Sequence, residues 1–202
     1  MKGEHIMKSL QGTQTADNLA KAFAGESQAR NRYTYYAKAA DKEGHKHIAS
    51  IFMETADNEK AHAKTFFNFL VEGLGKAHIK VDTEYPVGYG NTKENLQYAA
   101  EGEKEEWGTA YPAFADTAKA EGFPEIEMAF RKIIEIETFH EKRYLDLLDR
   151  LKNNKLYKQD SSRKWKCRNC GYIYEGLEAP NICPACHHPQ GYFEIMYDPI
   201  LA

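Results

Sequence analysis

Glu59-Lys60-Ala61-His62 and Glu137-Thr138-Phe139-His140 repeat one pattern, a carboxylate followed three residues later by an imidazole. On an α-helix that spacing puts both groups on one face, a turn apart, within reach of one ion. Outward in steps of three and four, each pattern interrupts an apolar stripe. One stripe runs Ile48, Phe52, Thr55, Glu59, His62, Phe66, Phe69, and the other Ile126, Phe130, Ile133, Glu137, His140, Tyr144, Leu147. Two more stripes carry acids at mid-length: Leu19, Phe23, Glu26, Ala29, Tyr33, and Leu96, Ala99, Glu103, Glu106, Ala110. Helical periodicity therefore covers roughly 16–43, 45–72, 92–121 and 124–153.

Punctuation supports these bounds. Gly44, Gly73, Gly75 and Gly122 stand at helix ends, Asn91 with Glu94 predicts a capping box, and Pro124 suits a first helical turn. Pro112 falls inside the third helix, where it predicts a kink costing about 3 kcal/mol and room beside Glu106. The first and third connections are short and join antiparallel neighbours, whereas 76–91 is long enough to cross the bundle. That makes the second and third helices parallel, the connectivity of ferritin-like four-helix bundles. The expected organisation is an all-α four-helix bundle over 1–153, a polar linker over 154–163 and a small Tyr-, Gly-, Pro- and Cys-rich domain over 164–202.

Four or five carboxylates driven into a core cost several kcal/mol each unless something cationic meets them. Arg30, Arg32 and Arg131 lie off or at the edge of the stripes, so divalent metal is the expected countercharge. One Glu from each of two helices, Glu26 and Glu103, with Glu-x-x-His from the other two, is the di-iron carboxylate pattern. Glu26 precedes Glu59 by 33 residues and Glu103 precedes Glu137 by 34, so the chain reads as two copies of a helix pair.

All four cysteines form two pairs, Cys167-x-x-Cys170 and Cys183-x-x-Cys186, a spacing that holds one tetrahedral metal. Iron and structural zinc both suit four thiolates. A net charge of −3 offers no electrostatic case for nucleic acid or an anionic membrane. The first fifteen residues hold no apolar stretch of signal-peptide length, and no run approaches the ~20 apolar residues of a membrane span. A cytoplasmic location is expected.

Five stretches together resemble the rubrerythrin family: Phe23 to Tyr33, Glu59 to Lys64, Gly102 to Trp107, Phe139 to Arg143 and Cys167 to Tyr172. The resemblance implies a di-iron site on Glu26, Glu59, His62, Glu103, Glu106, Glu137 and His140, with Glu59 and Glu137 bridging, and a rubredoxin-type iron on Cys167, Cys170, Cys183 and Cys186. Twelve residues separate the cysteine pairs, and His187 stands where a free rubredoxin usually has glycine. It further implies reduction of hydrogen peroxide, electrons from NAD(P)H through a separate reductase or rubredoxin, and a head-to-tail homodimer. His62 and Glu106 would compete for one iron, and Tyr33 and Tyr111 would line the pocket. The remaining histidines, His5, His45, His47, His78, His187 and His188, read as surface or loop residues, and the linker as too polar to dock the tail on its own bundle. Two other readings stand beside this one, a ferritin-like iron store with a zinc tail and a redox-inert metal-binding bundle.

Overall fold

A computed structural model describes residues 8–196; His5 and the two chain ends, 1–7 and 197–202, lie outside them. The helices are α1 (Gln14–Lys42), α2 (Lys46–Leu74), α3 (Thr92–Glu105), α4 (Tyr111–Ala120) and α5 (Pro124–Lys152). Among the described residues, no helix is long and apolar enough to cross a membrane. The expected third helix is α3 and α4 joined by a π-helical turn, Glu106–Ala110. The break expected at Pro112 takes the form of a π-turn just ahead of it. The Tyr111 N–H bonds the Glu106 carbonyl five residues back, so one residue is looped into the helix just before Pro112, whose missing N–H and bulky ring an α-turn tolerates poorly.

Antiparallel pairs α1/α2 and α3–α4/α5 pack together, and the extended 76–91 segment crosses between them. A reciprocal capping arrangement ties the halves. Glu121, just past α4, accepts bonds from the Gln14 and Thr15 backbone N–H groups at the start of α1 (3.0 and 2.8 Å). Glu43, just past α1, accepts from the Thr92 N–H at the start of α3 (3.1 Å). Each glutamate precedes a left-handed glycine, Gly44 (φ 87°) or Gly122 (φ 80°), that lets the chain turn away. A carboxylate at a helix N-terminus also meets the positive end of its dipole, worth about 0.3–1 kcal/mol at an exposed site. Asn91 and Glu94 form the expected capping box.

The bundle core divides into two apolar layers. One gathers Tyr33, Tyr36, Phe52, Leu96 and Tyr144 towards the α1–α2 turn; the other gathers Leu19, Phe66, Tyr111, Ile126 and Phe130 at the far end. The acids and histidines of the stripes lie between them.

The tail is a three-stranded antiparallel sheet in the order β2-β1-β3: β1 (Lys158–Cys167), β2 (Ile173–Glu178) and β3 (Phe193–Ile195). Trp165, Phe193, Cys167 and Cys183 are its fully buried core. More than half of the stretch read as linker is thus strand, since β1 begins at Lys158. Nor is the tail free of its own bundle. Tyr157 stacks on His45 and its hydroxyl lies 3.2 Å from His45 Nδ1, while the Lys46 ammonium sits 5.5 Å from the Tyr192 ring. Gly191 fits against the Gly44 backbone, where any Cβ would strike the carbonyl oxygen. Backbone closeness at two glycines and two tyrosine rings does the docking, so a polar linker does not keep the tail off its bundle.

Gly191→Ala is therefore expected to lift the tail off the α1–α2 turn without unfolding either part. Amide exchange at Gly44 to His47 should accelerate while the cysteine site keeps its metal. Exchange unchanged from the parent protein would show that the contact does not hold in solution.

Candidate metal centre

Glu26, Glu59, Glu103 and Glu137 meet at mid-bundle, each 0 % exposed, with His62 and His140 also buried. They form two groups, Glu26, Glu59, His62 and Glu137, and Glu59, Glu103, Glu137 and His140; within each, the ligand atoms lie within 4.8 Å of one another. Glu59 and Glu137 belong to both, and each divides its oxygens between them. His62 Nδ1 lies 2.8 Å from Glu137 Oε1 and 3.2 Å from Glu59 Oε2. His140 Nδ1 lies 2.7 Å from Glu137 Oε2 and 3.4 Å from Glu59 Oε1.

The outer oxygens are spoken for and the inner ones are not. Tyr111 donates its hydroxyl to Glu26 Oε1 and Tyr33 to Glu103 Oε1, both at 2.6 Å. Glu26 Oε2, Glu103 Oε2, Glu59 Oε1, both Glu137 oxygens and His140 Nδ1 are buried without a hydrogen-bond partner. These atoms crowd together at the two ligand groups. A buried polar group left this way costs about 1–3 kcal/mol, more when charged, so six in one place are a donor set awaiting cations. Oxygen and imidazole donors with hydrogen-bonded outer oxygens fit two iron ions.

The metal-free electrostatics agree. Burial, then neighbouring Glu59, raises the Glu26 carboxyl well above its ordinary range, and burial with Glu59 and Glu137 does the same to Glu103. Burial alone would lower both histidines, but the carboxylates outweigh it. Glu137, Glu26 and Glu59 raise His62 far above its usual value, and Glu103, Glu137 and Glu59 push His140 up to about 11. Glu59 runs the other way: burial pushes it up, but Glu26, His140 and His62 hold it below the carboxylate range. The groups whose charge burial and crowding disfavour are thus the ones that bound metal would neutralise.

Glu106 belongs to neither group. Its carboxylate lies at the π-turn beside Gly25, whose missing Cβ would sit 3.9 Å from Glu106 Oε1. It lines a cavity of about 530 Å³ with Gly25, Arg32, Tyr111 and the crossover residues Pro86 to Gly88. Burial first, then Glu26 and Glu103, raise its carboxyl well above normal. The sequence carried a sign of the π-turn. Tyr33 follows Glu26 by seven residues and Tyr111 follows Glu103 by eight, the same single excess as 34 over 33.

In the tail, the four cysteine sulfurs converge within 4.8 Å of one another. The two loops are mirror uses of one turn: the Gly171 N–H bonds Cys167 O and the His187 N–H bonds Cys183 O, each at 2.8 Å. Gly171 and His187 both take positive φ, 79° and 59°. His187 therefore fills a conformation that glycine adopts more cheaply. The His188 N–H favours a thiolate at Cys186, whose pKa falls to about 6. Of the other histidines, His45 and His47 face the tail, His47 Nε2 lying 3.8 Å from Glu194, and His78 lies in the crossover.

Ferritin-like di-iron proteins with a rubredoxin-like iron on four cysteines are the class that this fold and these two donor sets define. A protein-family model described as Rubrerythrin matches residues 17–148, and one described as Rubrerythrin, rubredoxin-like domain matches residues 165–194. Rubrerythrin-1 of Clostridium acetobutylicum is 56% identical over 94% of this chain and 98% of its own length. Rubrerythrin of Clostridium perfringens is 52% identical over 94% and 97%. Among solved structures, nigerythrin in its mixed-valence state superposes with a TM-score of 0.62 at 29% identity, covering 97% of this chain and 96% of that one. The chain belongs to the rubrerythrin family, and is an iron oxidoreductase with two irons in the bundle and one in the tail.

Loading the bundle with metal must displace the protons on Glu26, Glu103, His62 and His140, so binding should release protons and tighten as pH rises. Without metal the sign reverses. Groups raised on folding stabilise fully below their unfolded values, and that contribution fades as pH climbs from about 6.5 through the His140 value of about 11. Indicator-dye titration with ferrous ion and unfolding curves across this window check both; pH-independent binding would contradict the protonated cluster.

Proposed function

We propose that this chain reduces hydrogen peroxide to water, protecting against oxidative stress, with electrons drawn from NAD(P)H through an external reductase or rubredoxin and passed on by the cysteine-bound iron. The observation that carries this reading is the pair of overlapping donor groups with a Glu106-lined cavity at its edge. Two ferrous ions held together supply two electrons at once, the number needed to cleave the O–O bond to two waters without releasing a radical.

The chain's own residues set the conditions. With metal bound, Glu59 and Glu137 would bridge, since each turns one oxygen towards each side. Glu26 and His62 complete one side and Glu103 and His140 the other, with Tyr111 and Tyr33 fixing the two terminal carboxylates. The cavity admits peroxide beside Tyr111 and Glu106. Glu106, kept protonated by burial and its acidic neighbours, is placed to supply one of the two protons that water formation consumes. Once ionised it adds a fifth carboxylate charge, favours the oxidised pair and competes with His62. Gly25 leaves the space between them clear.

Electron delivery favours a homodimer. From His47 at the tail contact to Glu59 is about 18 Å along α2 at 1.5 Å per residue, so a docked tail sits at the far end of its own bundle. A head-to-tail pair brings each tail to the partner's site.

Anaerobic oxidation of the all-ferrous protein by peroxide and by dioxygen tests the reading, with peroxide expected to be much the faster. Glu106→Ala should retain both bundle irons, slow peroxide turnover by about a hundredfold and raise the reduction potential. Equal potential and rate would remove Glu106 from the chemistry. For the relay, a Cys170→Ser chain is mixed with a Glu59→Ala, His140→Ala chain. Mixed dimers with their intact sites loaded should recover NAD(P)H-driven turnover, and silence from such dimers would mean that each tail serves its own bundle.

A further inference from the structure

The two tyrosines that hold the terminal carboxylates occupy matching places in the two halves, yet their surroundings differ. Tyr111 is ringed by Phe66, Phe114 and Phe130, with centroids at 5.8, 6.1 and 5.5 Å. Tyr33 is ringed by Tyr144, Tyr36 and Phe52, at 5.7, 6.0 and 6.2 Å. These are equivalent positions. Tyr36 and Phe114 each lie three residues after their tyrosine, Tyr144 and Phe66 four after their histidine, and Phe52 and Phe130 seven before their bridging glutamate. At two of the three positions, a ring that can lose an electron with its proton replaces one that cannot.

The oxidisable side also has an exit. Tyr36 lies 6.4 Å, centroid to centroid, from Tyr89 on the crossover, and Tyr89 is 62 % exposed. Among the described residues, Tyr111 has only phenylalanine rings as aromatic neighbours.

We propose that Tyr33, Tyr36 and Tyr89 form a one-electron escape route, which carries an oxidising equivalent to the surface when peroxide meets a bundle site holding a single electron. The route rests on the peroxide-reducing reading. Peroxide needs two electrons and two protons to give two waters; with one electron supplied by the iron pair, Tyr33 supplies the other, and the protons come from Glu106 and from water in the cavity. Its hydroxyl proton passes to Glu103 Oε1, 2.6 Å away, leaving a neutral tyrosyl radical in place of hydroxyl radical. Tyr36 then reduces Tyr33, which recovers its proton from Glu103; the Tyr36 hydroxyl, which donates to the Gly88 carbonyl at 2.8 Å on the cavity wall, releases its proton to water in that cavity and regains one there when it is reduced. Tyr89 reduces Tyr36 in turn and loses its proton to bulk water. A solution thiol restores Tyr89 by giving a hydrogen atom, and two thiyl radicals couple to a disulfide. Phenylalanine around Tyr111 closes the other half to the same loss, which keeps oxidising equivalents away from the far end of the bundle.

The test uses iron-loaded full-length protein poised with one electron per bundle site, mixed with one equivalent of peroxide, frozen at intervals for electron paramagnetic resonance, and in parallel spin-trapped and mapped by mass spectrometry. A tyrosyl radical is expected, with the trapped adduct on Tyr89. In Tyr36→Phe, which keeps the ring and loses only the hydroxyl, the Tyr89 adduct should vanish and the radical should persist on Tyr33. In Tyr89→Phe the surface adduct is lost, the buried radical lives longer, and two-electron turnover of the all-ferrous protein is unchanged. A Tyr89 adduct undiminished in Tyr36→Phe, or no tyrosyl radical in a parent protein whose iron peroxide does oxidise, overturns the route alone. Iron that peroxide fails to oxidise overturns the peroxidase reading, and the route with it.

Discussion

Four carboxylates held without solvent at one level of a helix bundle repel one another, and most of the structure answers that repulsion. Left unpaired, each would cost several kcal/mol, comparable with the whole stability of a domain. Apolar layers above and below confine the charge to one plane. Tyr33 and Tyr111 satisfy one oxygen on each terminal glutamate, and the inner oxygens stay free for cations. The same acids that destabilise the metal-free bundle supply the donors and the charge that two metal ions would balance.

Much of this was legible because burial of an acid on an apolar helical stripe is so costly that the sequence seldom places one there without reason. The stripes located Glu26, Glu59, His62, Glu103, Glu137 and His140, and the structure brings all six together. The cysteine pairs and the crossover were equally plain. The π-turn was not, since Pro112 alone suggests a kink; only the mismatch of seven against eight residues, and of 33 against 34, betrays an inserted residue. Glu106 read as one more member of its stripe, but the wider turn sets its carboxylate at the cavity. Docking of the tail was hidden because it depends on a missing side chain, Gly191 against Gly44, and on polar-edged contacts such as Tyr157 on His45 rather than on an apolar linker.

On the proposed reading the tail and the bundle handle electrons in different numbers, one at a cysteine-bound metal and two at the paired site. A two-electron site refilled singly passes through a half-filled state on every cycle. The aromatic difference between the halves matters in that state, with tyrosines on the side of the α1–α2 turn and phenylalanines on the other.

Reciprocal capping and the matched spacings make the bundle two helical hairpins arranged about an approximate dyad. Two separate identical hairpins would have to accept every change twice. Joined in one polypeptide, they are released from that rule: one half carries the extra residue of the π-turn and the phenylalanine ring, while the other stays regular and keeps its tyrosines. Covalent fusion, costing only a crossover strand, is what lets a symmetric cradle have a front and a back.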